Sequence, residues 1–520
     1  MKPASACERC RLRKRKCWQA KPGHDCAECQ LRKVPCSRRL GPLPEATQPV
    51  QRDGQVGDGC ARPRPCLVSD EVAELLVENY IEHILDRPHS IFHLPTLRRS
   101  VHDGTLAPAL RCALLSYGAR FHPDAEVSDL SKQFLEEAKT QLHADLENVC
   151  LENVQTCILL ASLSAAEMQP SSEALYLSVG VHMGEILQLG VRIASDAPET
   201  QELKRRIWCS LYMADLWCST GNGLGRKMSN FNCTTDLPID EAIFHGSATL
   251  PPSSGEMSQP GLWTYMITLV AIFDQIQELN KDVVRRLQTT SNALLVHVDE
   301  EVTILGDALT SWETNLPEHV RHNETNLLKF RAQGLGGPFV ALHQGYYHYS
   351  MLLYYQYLDS NRAATSMTNG FSKVCKQHAF AHSNLLSYSR TIGDCDVFYA
   401  GVGHSTVISS SVLLHTALFG DPDEISLAQK ALQNNFKVLH ELSQYWPSLE
   451  LTIRRLSQFQ MFCTDDDALS AYNFDDWMVA FLLRYHLALY GNRAKNPPSG
   501  DTTSSMPSLS RPLPSIRAER

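Results

Sequence analysis

Residues 7–36 read CERCRLRKRKCWQAKPGHDCAECQLRKVPC, and this stretch decides how the beginning of the chain folds. It contains six cysteines in the spacing C-x2-C-x6-C-x8-C-x2-C-x6-C: Cys7, Cys10, Cys17, Cys26, Cys29 and Cys36. The same C-x2-C-x6-C unit thus occurs twice, joined by a loop that contains Pro22 and Gly23. Such a regular spacing predicts a cluster in which the thiols act together.

Stoichiometry favours two zinc ions held by these six thiolates. Zinc in a closed structural site takes four ligands in a tetrahedron. Two ions need eight ligand positions, and six thiolates supply eight only if two of them bridge. A segment of about 40 residues buries too little apolar surface to fold alone, so we expect the metal to supply its folding energy.

Other uses of the cysteines fit less well. The first ten residues contain no apolar run that could serve as a signal peptide, which predicts a reducing compartment and disfavours disulfides. A single four-thiolate zinc site would leave two ligands idle. A copper–thiolate buffer would not need the basic run between the ligands.

The basic run RLRKRK, residues 11–16, places five positive charges between the second and third cysteines. Residues 1–40 carry 12 Lys and Arg against 3 Asp and Glu, whereas the other 480 residues carry 36 against 54. A basic tip on an acidic body predicts that only the tip meets a polyanion. A nuclear import signal or a solvated face would also explain the run, but neither explains the cysteines.

This stretch resembles the fungal binuclear zinc cluster (Zn2Cys6) of regulatory proteins, and the resemblance covers residues 7–36. It implies two Zn2+ ions, with Cys7 and Cys26 as the bridging ligands, and two short helices in residues 1–40. It also implies docking on CGG-type triplets of double-stranded DNA in the nucleus, where the protein would regulate RNA polymerase II genes through the transcription machinery.

The same resemblance assigns base reading to the third and fourth residues after the second cysteine, here Arg13 and Lys14. The resemblance makes Lys14 the stronger candidate, and both residue types commonly pair with guanine O6 and N7. The other cations would hold phosphates, which supplies affinity without sequence preference. These phosphate-binding candidates are Arg11, Arg15, Lys16, Arg32 and Lys33.

The chain beyond residue 40 divides into three predicted zones. Residues 41–68 hold five Pro and four Gly in 28 positions, which predicts a flexible linker without coiled-coil heptads. Residues 69–492 predict a large all-α regulatory domain, and residues 493–520 a disordered Ser/Pro tail. Binding as a monomer and homodimerisation through the helical body both stay open. The absence of 18 uninterrupted apolar residues predicts no membrane span.

Apolar residues three and four apart mark the helices of the body. Val72, Leu75, Leu76, Tyr80, Ile84 and Leu85 predict a helix that ends before Pro88. Leu175, Val179, Met183, Ile186 and Leu187 predict a second, and Val284, Leu287, Leu294, Leu295 and Val298 a third.

The body also resembles the middle homology region of fungal zinc-cluster regulators over roughly residues 70–450. The segments that carry the likeness are SIFHLPTL at 90–97, NVQTCILLAS at 153–162, ELKRRIWCSLYMADLWCS at 202–219, SWETNLP at 311–317 and HQGYYHY at 343–349. Family members often continue with Gly-Arg-Pro, but here the residues are Gly225, Arg226 and Lys227. Glu202 and Arg206 are predicted to pair at i,i+4.

Catalysis is not predicted. GHSTV at 403–407 lacks the closing glycine of a nucleophile elbow, and DDDAL at 465–469 has the wrong spacing for an acidic metal motif. His378 and His382 share a helix face without an obvious third ligand. Two alternatives to a gene regulator stay open: a zinc-dependent protein-binding adaptor, and a helical enzyme with a zinc appendage.

Overall fold

The chain divides into two compact units, Met1–Cys66 and Leu67–Arg520. The computed structural model describes residues 17, 26–31, 68–228, 237–246, 260–287, 292–359, 362, 365–464 and 474–489. The predicted linker over 41–68, apart from Val68, and the predicted tail over 493–520 lie outside these residues. In the first unit, the described part contains one short helix, α1 (Ala27–Leu31).

The described part of the second unit is built from α-helices and contains no β-strand, only an isolated bridge between Ile239 and Pro260. The predicted all-α body is thereby confirmed over these residues. The helices are α2 (Asp70–His83), α3 (Leu94–His102), α4 (Pro108–Ala119), α5 (Ala125–Asp129), α6 (Ser131–Ala144), α7 (Leu151–Ala166), α8 (Pro170–Ile186), α9 (Pro198–Asn222), α10 (Glu241–Phe244), α11 (Leu262–Leu287), α12 (Asn292–Thr314), α13 (Glu324–Ala332), α14 (Gly336–Tyr354), α15 (Ser366–Ile392), α16 (Gly401–Phe419), α17 (Pro422–Ser443), α18 (Ser448–Thr464) and α19 (Asp476–Leu483), with a 3-10 helix at Tyr355–Leu358.

Local sequence explains where several helices begin. The Ser69 hydroxyl accepts a hydrogen bond from the Val72 amide at 3.3 Å and so caps α2. At the start of α15, Thr365 and Thr368 cap each other's backbone amides reciprocally. Pro198 occupies the first turn of α9, where its missing N–H has no partner to lose.

The core lies around helices that are buried along most of their length. Helix α14 contacts α11, α13, α15 and α16, and neighbouring helices in the chain pack as pairs, such as α7 with α8 and α16 with α17. Among the described residues, α16 alone is long and apolar enough to cross a membrane. Its apolar window is 89% buried within the fold, as in the core helix of a globular domain. It contains Gly403–Val407, so this segment is helical and does not form a strand–turn–helix elbow.

Two of the predicted apolar stripes differ from the observed ones. On α8 the buried face contains Gly180, Val181 and Gly184, whereas Leu175 and Ile186 are 56% and 67% exposed. The glycines explain the difference. A Cβ at Gly184 would lie 2.9 Å from a Leu211 methyl carbon, so α8 packs closely against α9 at this glycine. Because glycine has no side chain, a search for apolar side chains does not detect this face.

The stripe predicted from Val284 to Val298 is divided between two helices, α11 and α12. The intervening residues 288–291 lie outside the described residues. The stripe of α2 is confirmed for Leu76 and Tyr80, but Leu75 is 48% exposed.

A buried ion cluster joins α9 to distant segments. The Arg206 guanidinium is 0% exposed. Its Nε donates to Glu202 Oε1 at 2.8 Å, Nη1 to Ser90 Oγ at 2.7 Å, and Nη2 to the Ile239 carbonyl at 2.6 Å. A second carboxylate, Glu241 Oε1, lies 3.7 Å from Nη2. The i,i+4 pair predicted from the sequence is thus confirmed, as part of a larger network.

Glu241 also caps the beginning of α11. Its two carboxylate oxygens accept hydrogen bonds from the Leu262 and Trp263 amides at 2.9 and 3.0 Å. Burial raises the pKa of Glu241, although Arg206 and the Trp263 amide act in the opposite direction. One carboxylate therefore serves both a helix N-terminus and a buried cation.

We predict that Arg206→Met lowers the free energy of unfolding by about 3–5 kcal/mol, because it leaves the buried Glu241 carboxylate without its cation and removes one of the two cations, Arg205 and Arg206, that pair with Glu202. The matched control is Arg454→Met. Arg454 pairs with Glu450 at 2.7 Å, but both side chains are mostly exposed, so this change should cost less than about 1 kcal/mol. Urea unfolding of the full chain followed by tryptophan fluorescence measures both. Equal losses in the two variants would contradict a structural role for the cluster.

Candidate functional site

The sequence singles out two regions, the cysteine segment and the end of helix α9. In the cysteine segment, Cys26 immediately precedes α1 and Cys29 lies within it, and the Gln30 amide donates to the Cys26 carbonyl at 2.9 Å. Cys26 and Cys29 are 0% and 1% exposed, and Cys17 is half-buried. One helical turn therefore carries the second C-x2-C pair. Cys7, Cys10 and Cys36 lie outside the described residues.

The donor chemistry of this turn fits zinc. Zn2+ is bound in structural sites by thiolates, and paired cysteines two residues apart are a common ligand spacing. Thiols shielded from solvent at the edge of a five-residue helix match such a site. Among the described residues, three of the six predicted ligands are present, and no group of three or more His, Cys, Asp or Glu is arranged to hold a metal. The cluster of six stays a prediction.

The predicted DNA-contacting residues also stay a prediction. They lie outside the residues that the structure describes: Arg11, Arg13, Lys14, Arg15, Lys16, Arg32 and Lys33.

In the body, Asp215 organises the turn after α9. This residue is fully buried, and its Oδ2 accepts from Arg226 Nε at 3.0 Å, the Lys227 amide at 3.0 Å and the Met228 amide at 2.9 Å. The departure from Gly-Arg-Pro noted in the sequence therefore has a local consequence. Lys227 donates a backbone hydrogen bond that a proline at this position could not make.

Arg226 extends this network to helix α11. Its Nη1 lies 2.8 Å from Asp274 Oδ2, and its guanidinium carbon lies 5.2 Å from the Tyr212 ring centroid. Burial acts to lower the pKa of Arg226, but Asp215 and Asp274 outweigh it and the net shift is upward. Asp215 and Arg226 thus connect α9 and the turn after it to α11. Among the described residues, we find no arrangement of these side chains that is typical of a catalytic site.

Sequence reasoning missed the partners of this motif. Asp274 lies 48 residues beyond Arg226, and Glu241 lies 35 residues beyond Arg206. No spacing rule connects residues so far apart, because helical periodicity predicts only neighbours within one helix. The position of Glu241 just after the N-cap residue Asp240 gives no sign that its carboxylate reaches another helix.

Among the described residues, His378 and His382 belong to no group of three or more side chains that could hold a metal. Burial lowers the pKa of His378 to about 4 and that of His382 to about 3, so both are neutral near pH 7. The acidic segment at 465–469 lies outside the described residues.

Comparison with known proteins agrees with a regulatory role. Residues 78–314 match the family described as the fungal specific transcription factor domain. A Zn(2)-C6 fungal-type transcription factor of Fusarium oxysporum f. sp. lycopersici is 21% identical over 418 residues, covering 73% of this chain and 44% of the relative. Another from the same organism is 23% identical over 431 residues, covering 73% and 38%. An uncharacterized transcriptional regulatory protein of Schizosaccharomyces pombe is 23% identical over 444 residues, covering 75% and 52%.

The chain spans about half the length, or less, of these curated relatives. No solved structure matches it significantly. The family description and the relatives' names denote transcription factors and not enzymes, in agreement with the predicted lack of catalysis. Residues 78–314 thus match the fungal specific transcription factor domain, and the chain is similar to fungal Zn(2)-C6 transcription factors.

Proposed function

We propose that this protein is a zinc-dependent, sequence-specific DNA-binding regulator of RNA polymerase II genes that acts in the nucleus. One observation carries the proposal: six cysteines in a repeated C-x2-C-x6-C spacing enclose five cations within six residues. The family match supports regulation of transcription, and the names of the relatives support a Zn(2)-C6 cluster. The buried Cys26–Cys29 turn is compatible with thiolate ligands.

In this proposal the metal cluster makes a short basic turn rigid. Two zinc ions would be held by Cys7, Cys10, Cys17, Cys26, Cys29 and Cys36. A bound cluster supplies folding energy to a segment too short to fold by apolar burial. Rigidity matters because base reading needs a side chain held within hydrogen-bond distance of a base edge, while phosphate contacts tolerate looser geometry.

The helical body would regulate, and would connect the DNA-bound protein to the transcription machinery. Residues 41–520, which include this body, carry a net charge of −18, and this opposes a second DNA contact there. The protein would bind DNA as a monomer or as a homodimer joined through this body. A CGG-type triplet is the proposed half-site, and a metabolic or secondary-metabolite gene set is the proposed target.

We predict that the purified full chain contains two zinc ions per molecule. Cys26→Ser should lower the zinc content, because this residue is a proposed bridging ligand, whereas Cys112→Ser on α4 should leave it at two. Elemental analysis by mass spectrometry measures both. A wild-type content far below two would remove the basis of the proposal.

Selection of duplexes from a randomised pool by the full chain tests DNA recognition and separates the alternatives. We expect enrichment of a CGG-containing site, and its loss after chelation of zinc. An adaptor or an enzyme with a zinc appendage would enrich no sequence. Enrichment that survives complete removal of zinc would contradict the zinc-dependent mechanism.

Two substitutions separate base reading from phosphate binding. Lys14→Ala should abolish preference for the selected site over unrelated duplexes, with unchanged zinc content. Arg11→Ala should weaken binding to all duplexes alike and reduce the slope of log K against log salt by about 1. Fluorescence anisotropy at several salt concentrations measures both quantities. If Lys14→Ala retained full selectivity, the assignment of base reading to this residue would be wrong.

A further inference from the structure

The second unit contains a partly open cavity of about 210 Å³ that is lined by none of the proposed zinc ligands or DNA-contacting residues. Helices α2, α7, α9, α14 and α16 contribute to its walls. Much of the wall is aromatic, and the rings include Tyr80, Tyr117, Trp217, Phe273, Tyr349 and Trp446. An apolar cavity of about 150 Å³ accommodates benzene. This one therefore has room for a benzene ring with one or two small substituents.

Two imidazoles in the wall lack hydrogen-bond partners among the described residues. The ring centroids of His89 and Trp217 are 5.7 Å apart. The ring centroid of His348 lies 5.5 Å from that of Tyr349 and 5.4 Å from that of His404. The Nδ1 atom of each imidazole is buried without a hydrogen-bond partner. A buried polar group left unpaired costs about 1–3 kcal/mol. A ligand that supplies the missing hydrogen bonds would recover this energy.

The carboxylate of the wall is already paired within the protein. Glu173 Oε2 accepts from Asn222 Nδ2 at 2.8 Å and lies 2.8 Å from His486 Nδ1. Arg87 donates from Nη1 to the Glu82 carbonyl, and its Nε is buried against Gly337 without a hydrogen-bond partner. The wall therefore offers no unpaired carboxylate to a cationic ligand, and the Arg87 Nε, which packs against Gly337, is shielded from solvent.

The two imidazoles carry no charge near neutral pH. Burial lowers the pKa of His89 to about 4 and that of His348 to about 3. A neutral imidazole has one donor and one acceptor nitrogen, so its partner can be a hydroxyl group, which both donates and accepts.

We propose that this cavity binds a small uncharged aromatic molecule that carries a hydroxyl group, with the ring against the aromatic wall and the hydroxyl on His89 or His348. The inference goes beyond DNA recognition and does not rest on it, because all the residues that carry it lie between 80 and 486 in the second unit.

Three probes with one ring and different substituents test the proposal: 3-methylphenol, toluene and 3-methylbenzoate. Each is titrated into the zinc-loaded full chain while tryptophan fluorescence is recorded. We expect 3-methylphenol to bind about tenfold more tightly than toluene, as one neutral hydrogen bond implies, and 3-methylbenzoate to bind more weakly than either. Equal affinity for 3-methylphenol and toluene, tighter binding of the benzoate, or no binding of any probe would each overturn the proposal.

Variants locate the binding. His348→Leu and His89→Leu each remove one candidate imidazole, and at least one of them should reduce the preference for 3-methylphenol over toluene to about one. The exposed His440→Leu is the matched control and should leave the preference intact. Ala214→Leu, which places a larger side chain in the wall, should abolish binding of both probes. Circular dichroism and duplex selection verify that each variant is folded and still recognises DNA. A folded Ala214→Leu protein with unchanged probe affinity would show that the probes bind elsewhere.

Discussion

The buried guanidinium of Arg206 is the interaction on which the arrangement of the helical body depends. A cation without solvent access is stable only when carboxylates and carbonyls surround it. Glu202 lies one turn away on α9, but Ser90, Ile239 and Glu241 come from segments that are distant in the chain. The requirement to neutralise one charge therefore brings the segment before α3, helix α9 and the beginning of α11 together.

Helix α9 is held by buried ionic contacts near its beginning and after its end. It has 25 residues, which corresponds to about 37 Å of helix. The Arg206 cluster lies near its beginning, the Asp215–Arg226 network holds the turn that follows it, and Ala214 and Trp217 between them face the cavity. An element tied at both ends positions the cavity wall accurately, because neither end can shift without breaking buried ionic contacts.

The sequence predicted those features that depend on residues close together in the chain. The helical content of the body and the Glu202–Arg206 pair follow from periodicity, and the structure confirms them. The packing of α8 could not be predicted from periodicity. Its contact face includes Gly180 and Gly184, and glycines do not contribute to a pattern of apolar side chains. The roles of Asp274 and Glu241 depend on tertiary proximity. The cavity was equally invisible, since its wall collects single residues from many helices, each of which resembles an ordinary core position.

Residues 1–40 and the rest of the chain differ in the sign of their net charge. Residues 1–40 carry a net charge of +9 and the rest −18, so electrostatic attraction to a polyanion is confined to the first segment. An uncharged molecule in the cavity would not alter this balance. Any influence of such a ligand on DNA affinity must therefore come from a difference in its affinity for two conformations of the body, since a ligand shifts an equilibrium only by its differential binding free energy. Breaking the Arg206 cluster would leave buried charges unpaired, so we expect those conformations to keep it intact. The remaining freedom lies in the elements of the cavity wall outside α9, and a signal from the cavity would have to travel through them.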